Sequence, residues 1–526
     1  MALFALIGAM AVILRSNASV EWHSLACVVA ALAALPWLQA AVGQMHFVGQ
    51  AWISSAYLLG FLLALLIGAQ WESTSPGQLA QALFLAFGVA GVVSVGLQFY
   101  SWLGLWDGGV MDIWSMGLSG DRPYANLGQP NNLATLLLWG ALACLWAYLA
   151  TWLGAYSAVF TACFLLLGLA LTQSRMGLLA LTVVVVAAWV WRRLWPSRRL
   201  PWVASALYLY FLICPLFFRW LNAVLWTGQE ASFVRLQQQG ELRLSAWRLF
   251  LQAVWERPWF GYGWTELGSA QMAVAEKFPA LGVTFGHSHN LFLDLVLWNG
   301  LVIGLLITGF LIRWFWLSFR VVREPRDAVL FLVLVVVGIH AMVELPLHYA
   351  YFLIPTGLVM GILNVRLGAS VLWTSSRWTL VGLWLAAALA LSLIVRDYLR
   401  VEDSYNTLRL EQARVGLGKA PIGEPPDVVV LTQLREWVRL ARFSVHAGMS
   451  REELDWMAAL TESNPTGGAA YRLATAYALN GKPDQARDWL ARICKISTPD
   501  ECVHIRRVWE QESAAGPRIA VVKWPE

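Results

Sequence analysis

Hydrophobic positions in this chain come in long unbroken runs, not in the alternation of a half-buried strand. Apolar runs lie near 2–14, 25–42, 51–69, 79–99, 132–152, 156–171, 177–191, 203–226, 291–319, 327–343, 349–365 and 378–395. A helix needs about 20 apolar residues to cross a hydrocarbon core, and the first run is short of that as it stands. The pattern predicts an all-α protein with a polytopic membrane helical bundle of about 12 spans over 1–395. A soluble helical domain follows over 396–526.

Composition agrees with the pattern. The chain is 59% hydrophobic and 13% charged, with a mean hydropathy of +0.58. Soluble domains carry about 25% charged residues. The 31 tryptophans suit anchoring at membrane interfaces. A net charge of +5, with no basic run interleaved with aromatics, gives no reason to invoke nucleic acid. Residues 396–526 hold about half of all charged side chains, with both signs balanced, which separates a soluble tail from the membrane part.

Basic residues in short loops set orientation, because such loops stay in the cytoplasm. Arg192, Arg193, Arg198 and Arg199 mark one such loop, Arg313, Arg320, Arg323 and Arg326 a second, and Arg366 and Arg377 a third. The loops 100–131, 227–290 and 344–350 then face outward, as does the tail. This count also puts the N-terminus outside, with no basic stretch or small-residue cleavage site of a signal peptide. Either the sequence starts one helix late or the first run is re-entrant.

Within the outer loop, ELRLSAWRLFLQAVWE reads as an amphipathic helix whose Leu242, Leu244, Trp247, Phe250 and Val254 rest on the bilayer surface. RPWFGYGW breaks it, with Pro258, Gly261 and Gly263 as turn residues. In the tail, AAYRLATAYALNGKPDQARDWLARI reads as two helices about a Gly-Lys-Pro turn, in the manner of one tetratricopeptide hairpin or of a small helical bundle. Cys27, Cys144, Cys163 and Cys214 fall in apolar runs, whereas Cys494 and Cys502 lie in the tail and can pair in an oxidising compartment. No CxxC or HExxH spacing occurs, so no catalytic metal and no cofactor is expected, although Asp and Glu near the outer loops could hold a hard cation.

The candidate chemistry sits where apolar runs meet polar loops. His287-Ser288-His289-Asn290 leads directly into an apolar run, and a bilayer penalises such groups unless they face water, protein or a substrate. His289 reads as a general base, since imidazole can take a proton from a hydroxyl nucleophile near neutral pH. The structural alternative is a histidine capping the next helix, a task Asn290 could equally perform. His287 reads as a neighbour that shapes the field. Arg175, in the outward turn TQSRMG, suits phosphate oxygens; its alternative is a snorkelling side chain. Arg243 and Arg248 on the loop helix are candidates for a phosphate clamp, with a solvated face the better reading for Arg248.

Arg122, Gln129, Asn131 and Asn132, in GDRPYANLGQPNN, offer groups suited to sugar hydroxyls, or simply form a turn. Glu344 and His348 flank an outward turn, where an ionisable group is a functional hypothesis by default, though the pair can also bond to each other or to Tyr349. Gly300 and Gly304 have the spacing of a close helix contact.

Taken together, these segments resemble a known family. HSHNLFLDLVLWNGLVIG resembles the His-Asn/Ser/Gln motif, spacer and Gly pair of O-antigen ligases and protein O-oligosaccharyltransferases. NLGQPNNLAT resembles the segment that opens a membrane helix in the PglL/PilO-type bacterial protein O-oligosaccharyltransferases, and TQSRMGLLAL resembles their Ser-Arg-x-Gly turn. VELPLHYAYFLIPTGLVMGIL resembles their C-terminal signature. The likeness spans about 25–365 and departs in the Gly pair, whose second position holds Ile303, with Gly304 one place later.

The resemblance implies transfer of an oligosaccharide from undecaprenyl pyrophosphate to a Ser or Thr hydroxyl of an exported protein, such as a pilin. The reaction would take place at the periplasmic face of a bacterial inner membrane. His289 would be the base or acceptor-positioning group, and Arg175 and Arg243 would stabilise the leaving pyrophosphate. Arg122, Gln129, Asn131, His287, Asn290, Glu344 and His348 would contact glycan or acceptor. The leaving group is already good, so charge stabilisation and orientation matter more than an acid. The competing readings are an O-antigen ligase acting on lipid A core, an O-antigen polymerase, a transporter and a scaffold. The soluble tail favours a protein acceptor. The placement of polar groups at the outer face, not at mid-bilayer, argues against a transporter.

Overall fold

The computed structural model of the protein describes residues 6, 8, 10, 13, 19–105, 109–116, 122–225, 233–413 and 424–525. The first predicted run, 2–14, lies largely outside them. Seven described helices are long and apolar enough to cross a membrane, and Ala155–Leu171, Arg175–Val190 and Ala350–Arg366 are shorter apolar helices. This is an all-α, multi-pass membrane protein.

The chain folds as two compact units. The first comprises Met1–Cys27, Gly60–Gln237 and Leu311–Trp384; the second comprises Val28–Leu59, Gln238–Phe310 and Leu385–Glu526. Helices α1 (Ser24–Ala41) and α2 (Val48–Thr74) contribute to both.

In the first unit, α3 (Gln78–Trp102), α4 (Pro130–Leu149), α5 (Ala155–Leu171), α6 (Arg175–Val190) and α7 (Leu200–Leu225) form a bundle. They are joined by the last part of α10 (Leu291–Val321), from Leu311 on, by α11 (Pro325–Ala341) and by α12 (Ala350–Arg366). Helix α4 packs on α3, α5, α6 and α11 and is buried almost all round, as a helix without a polar face must be. Trp146 stacks on Phe84 with centroids 4.3 Å apart, and the Trp139 indole N–H donates to the Val333 carbonyl at 3.0 Å. Helices α2 and α12 approach through glycines: a Cβ on Gly361 would collide with the Leu65 carbonyl, and one on Gly68 with that of Leu358. At the end of α12, Arg366 donates to Asp327 at 2.5 Å, Glu72 at 3.0 Å and Glu324 at 3.2 Å. That arginine is therefore the cation at the centre of three carboxylates as well as a topology marker.

A two-stranded antiparallel sheet, β1 (Val20–His23) with β2 (Val371–Ser375), also belongs to this unit. The apolar runs gave no sign of it. Each strand is too short to show a period, and only pairing at long sequence separation creates it. Trp22 and Trp373 face each other at 5.1 Å, and the Trp22 indole donates to Ser375 Oγ at 2.9 Å.

The second unit holds α8 (Phe233–Glu256) from residue 238, α9 (Leu267–Val274), the first part of α10, and the tail helices. The run near 291–319 is one helix in pattern, yet α10 breaks at Gly300 (φ 77°, ψ 173°). The Leu297 and Trp298 carbonyls accept from Tyr262 and Gly263 at 2.8 and 3.1 Å, and Leu301 N–H donates to Pro258 at 2.7 Å. The RPWFGYGW turn thus takes over the bonds that a continuous helix would make. A Cβ on Gly300 would collide with Trp259, and one on Gly304 would lie 2.5 Å from Val296 Cα. The two glycines therefore serve a break folded on itself, not the contact between two helices that their spacing suggests.

The amphipathic reading of α8 also changes. Phe250 and Val254 are buried in the protein, with Phe250 edge-on to Phe285 at 5.8 Å, while Leu244, Leu251 and Trp255 are exposed. Helix α13 (Arg377–Ala413) carries the last apolar run onward without interruption at 395. The tail adds α14 (Thr432–Arg442), α15 (Arg451–Ser463), α16 (Gly467–Leu479), α17 (Pro483–Ile496), α18 (Pro499–Ala515) and α19 (Pro517–Ala520). The Asn480-Gly481-Lys482 turn joins α16 to α17, with Gly481 at φ 73°. Leu473, Ala474, Tyr477, Ala486, Leu490 and Ile493 fill the core between the two helices. Cys494 and Cys502 are bonded, with Cα atoms 5.0 Å apart.

Candidate functional site

The candidate residues fall into one group in each unit. In the first unit, polar groups gather at the starts of α4 and α6. Ser174 caps α6 by accepting from Gly177 N–H at 2.9 Å, and its hydroxyl donates to Asn131 Oδ1 at 2.7 Å. Asn131 Nδ2 in turn donates to Glu344 Oε1 at 3.3 Å. Asn131, Ser174 and Glu344 are all buried, so each link satisfies a group that could not meet water. Arg122 Nε donates to the Thr172 carbonyl at 2.8 Å, which brings the 122–131 loop onto the turn that carries Arg175.

Arg175 is exposed at the first position of α6, behind Gln173 in the left-handed region (φ 50°). A cation there opposes the helix dipole. The amides of the first turn and a guanidinium together form an arrangement that an anion would stabilise. Gln129 holds the N-cap position of α4 without a side-chain capping bond and is half-buried. His348 ends the short Pro346–His348 turn, and burial lowers its imidazole pKa below the ordinary value.

In the second unit, the His287–Asn290 loop is held through its backbone. Ser288 N–H donates to the buried Asp294 carboxylate at 2.8 Å, and the Ser288 carbonyl accepts from the Trp247 indole at 2.9 Å. Asn290 Oδ1 accepts from Phe292 and Leu293 N–H at 3.1 Å each, so that oxygen is the cap of α10. His289 is thereby relieved of capping. Its backbone lies in the left-handed region (φ 59°), a conformation that costs energy for any residue with a Cβ. Its ring meets His287 at 4.1 Å and Phe285 edge-on at 6.1 Å. His289 N–H donates to His287 Nδ1 at 3.3 Å, which leaves the His287 proton for Nε2. Arg243 is half-buried on α8, whereas Arg248 is exposed, as a solvated face requires.

The tail grips the segment leading into this loop. Arg492 pairs with Glu276 at 2.8 Å and Lys495 Nζ donates to the Phe278 carbonyl at 2.9 Å. The Lys495 carbonyl accepts from Leu281 and Gly282 N–H at 3.2 and 3.3 Å, one residue from the disulfide. Gln271 then fixes Val283 and Phe285 through bonds of 2.9 Å each.

Residues 160–308 match the family described as O-antigen ligase, and residues 328–496 match that described as virulence factor membrane-bound polymerase, C-terminal. Both stretches are similar to the O-antigen ligase superfamily. The chain is 28% identical over 480 residues to the general O-oligosaccharyltransferase of Acinetobacter baylyi, covering 89% of this chain and 82% of that one. It is 27% identical over 337 residues to the ComP-specific O-oligosaccharyltransferase of the same organism, covering 63% and 59%. These similarities bear out the family resemblance read from the motifs and make the chain a glycosyltransferase.

Several residues of the chain carry structural roles that the sequence motifs did not mark. Asp294 and His340 each interrupt an apolar run, a signal that could have flagged them. His340 Nδ1 lies 2.8 Å from Thr135 Oγ1 in the interior of the first unit. Ser174, Trp247, Ser288 and Tyr351, whose hydroxyl accepts from Asn132 at 3.0 Å, carried no such signal.

Proposed function

We propose that this chain transfers an oligosaccharide en bloc from undecaprenyl pyrophosphate to a Ser or Thr hydroxyl of an exported protein such as a pilin. The reaction takes place at the periplasmic face of the inner membrane. The observation that carries this reading is His289: an imidazole on a left-handed backbone, relieved of capping by Asn290, on a loop fixed by Asp294 and Trp247 at the start of an apolar helix. In this reading, His289 accepts the proton of the acceptor hydroxyl or orients that hydroxyl as it attacks the anomeric carbon. Arg175, with the α6 amides, and Arg243 stabilise the pyrophosphate that departs. Arg122, Gln129, Asn131, His287, Asn290, Glu344 and His348 contact glycan or acceptor.

The bonded Cys494 and Cys502 support an oxidising surrounding for residues 396–526, which we read as a soluble tetratricopeptide-like domain following about 12 spans. The test is co-expression with a lipid-linked glycan pathway and a candidate pilin, read by intact mass. A glycan-sized increase that disappears with His289→Ala and with Arg175→Ala is expected. Normal glycosylation by His289→Ala overturns its role. Glycan appearing on lipopolysaccharide and on no protein makes the chain a ligase instead.

A further inference from the structure

A cavity of about 320 Å³ opens in the second unit beside the His287 loop. Its walls come from the start of α2 (Gln50, Ser54), from the segment before His287 (Thr284, Phe285) and from the tail helix α14 (Gln433, Trp437). It lies at the lower end of the roughly 300–1,000 Å³ range of small-molecule sites, enough for one or two sugar rings. Among the described residues, no Asp, Glu, Lys or Arg lines it; the lining combines amides and hydroxyls with the rings of Phe285 and Trp437.

Two buried acceptors there, Gln50 Oε1 and Gln433 Oε1, have no donor among the described residues. Gln50 spends its Nε2 on Ser463 Oγ at 3.1 Å. A buried acceptor without a partner leaves its desolvation cost uncompensated, so the wall carries an unmet demand for donors. Phe285 lines the cavity, and its ring lies edge-on to that of His289 with centroids 6.1 Å apart.

We propose that this cavity holds a neutral sugar unit of the transferred glycan, at a distance from the bond that is broken. A pyranose presents hydroxyl donors to the two glutamine oxygens once their amides turn toward it, and its apolar face suits Trp437 and Phe285. An anionic group has no cationic partner in this lining. An extended peptide would be better served by a strand edge than by these helix ends and side chains. The role of Phe285 would be to connect an occupied cavity to the His289 ring.

This inference rests on glycan transfer being the reaction, and two measurements separate the two claims. The first uses full-length protein in detergent and saturation-transfer NMR with a panel of neutral disaccharides, N-acetylated and hexose-based. Signals that fall at least fivefold in Gln433→Ala support the cavity even if no transfer is ever seen. No signal across the panel, or one that Gln433→Ala leaves unchanged, overturns it.

The second compares lipid-linked donors bearing one sugar and three or more. Gln433→Ala and Trp437→Ala should raise KM at least fivefold for the longer donor, leaving kcat, the one-sugar donor and the acceptor KM unchanged. Trp437→Tyr should restore most of the loss. A rise in acceptor KM instead makes the cavity an acceptor-peptide site, and equal losses with both donors make it merely structural.

Discussion

The start of α6 in the first unit and the start of α10 in the second both place polar groups in apolar surroundings, yet they are built in opposite ways. At α6, side chains bond to side chains: Ser174 to Asn131, and Asn131 to Glu344. Those groups are buried and their bonding capacity goes largely into the fold. At α10, the backbone is held by Asp294 and Trp247, and Asn290 takes the cap. The imidazoles of His287 and His289 meet ring to ring instead of serving as the cap. The α6 start is a rigid frame from which Arg175 projects; the α10 start presents its chemistry directly, at the cost of a left-handed His289.

This contrast is open to test at several strengths. The largest effect is expected from Gly300→Ala, which combines a positive φ with a collision against Trp259. A destabilisation of about 3–5 kcal/mol, in the upper range for single substitutions, should abolish recovery of monodisperse protein by size exclusion. Normal recovery would mean that the α10 break is not built as described.

Next come His289→Ala and Asn131→Ala, measured side by side. His289→Ala should lower transfer by about 100-fold or more with a nearly unchanged melting temperature, because it removes the imidazole while alanine keeps the Cβ and the same left-handed backbone. Asn131→Ala should cost about 1–3 kcal/mol of stability as well as activity, since Ser174 and Glu344 each lose a partner. If the histidine variant melts as early as the asparagine variant, the contrast between the α6 and α10 starts fails.

Cys494→Ser should be milder. A short closed loop contributes about 2–3 kcal/mol, felt in the tail. Hydrogen exchange at Leu281 and Gly282 should rise, because Lys495 presents their acceptor. Unchanged exchange there would separate the tail from the His287 loop.

The smallest effect concerns His348. Its folded pKa is lowered by burial, so the folded state binds fewer protons than the unfolded state. Stability is complete above the unfolded value of about 6.5 and declines as pH falls through it. The melting temperature should drop between pH 7.5 and pH 5.5, and His348→Gln should flatten that slope. A flat profile in the parent protein would sink this account.

Much of the fold was legible because membrane helices are written in continuous sequence. Runs of apolar residues locate α1 through α7 and α11 through α13 to within a few residues, apart from the onward extension of α13. The tail hairpin was legible for the same reason, through its Gly-Lys-Pro turn. The candidate residues were legible as polar interruptions of that pattern, and Asp294 and His340 would have been too.

Other features depend on groups far apart in the chain and became visible only in the folded protein. The break at Gly300 exists because the 258–263 turn supplies the bonds the helix gives up. The missing Cβ at Gly300 permits the break, but nothing in the apolar run around it demands one. The β1–β2 pair, the Asn131–Glu344 bond and the tail's hold on Leu281 likewise join residues over a hundred positions apart. Hydrophobic burial follows local pattern, so sequence determined where the helices lie. Hydrogen bonds are directional and short, so only the folded chain could settle which polar groups meet.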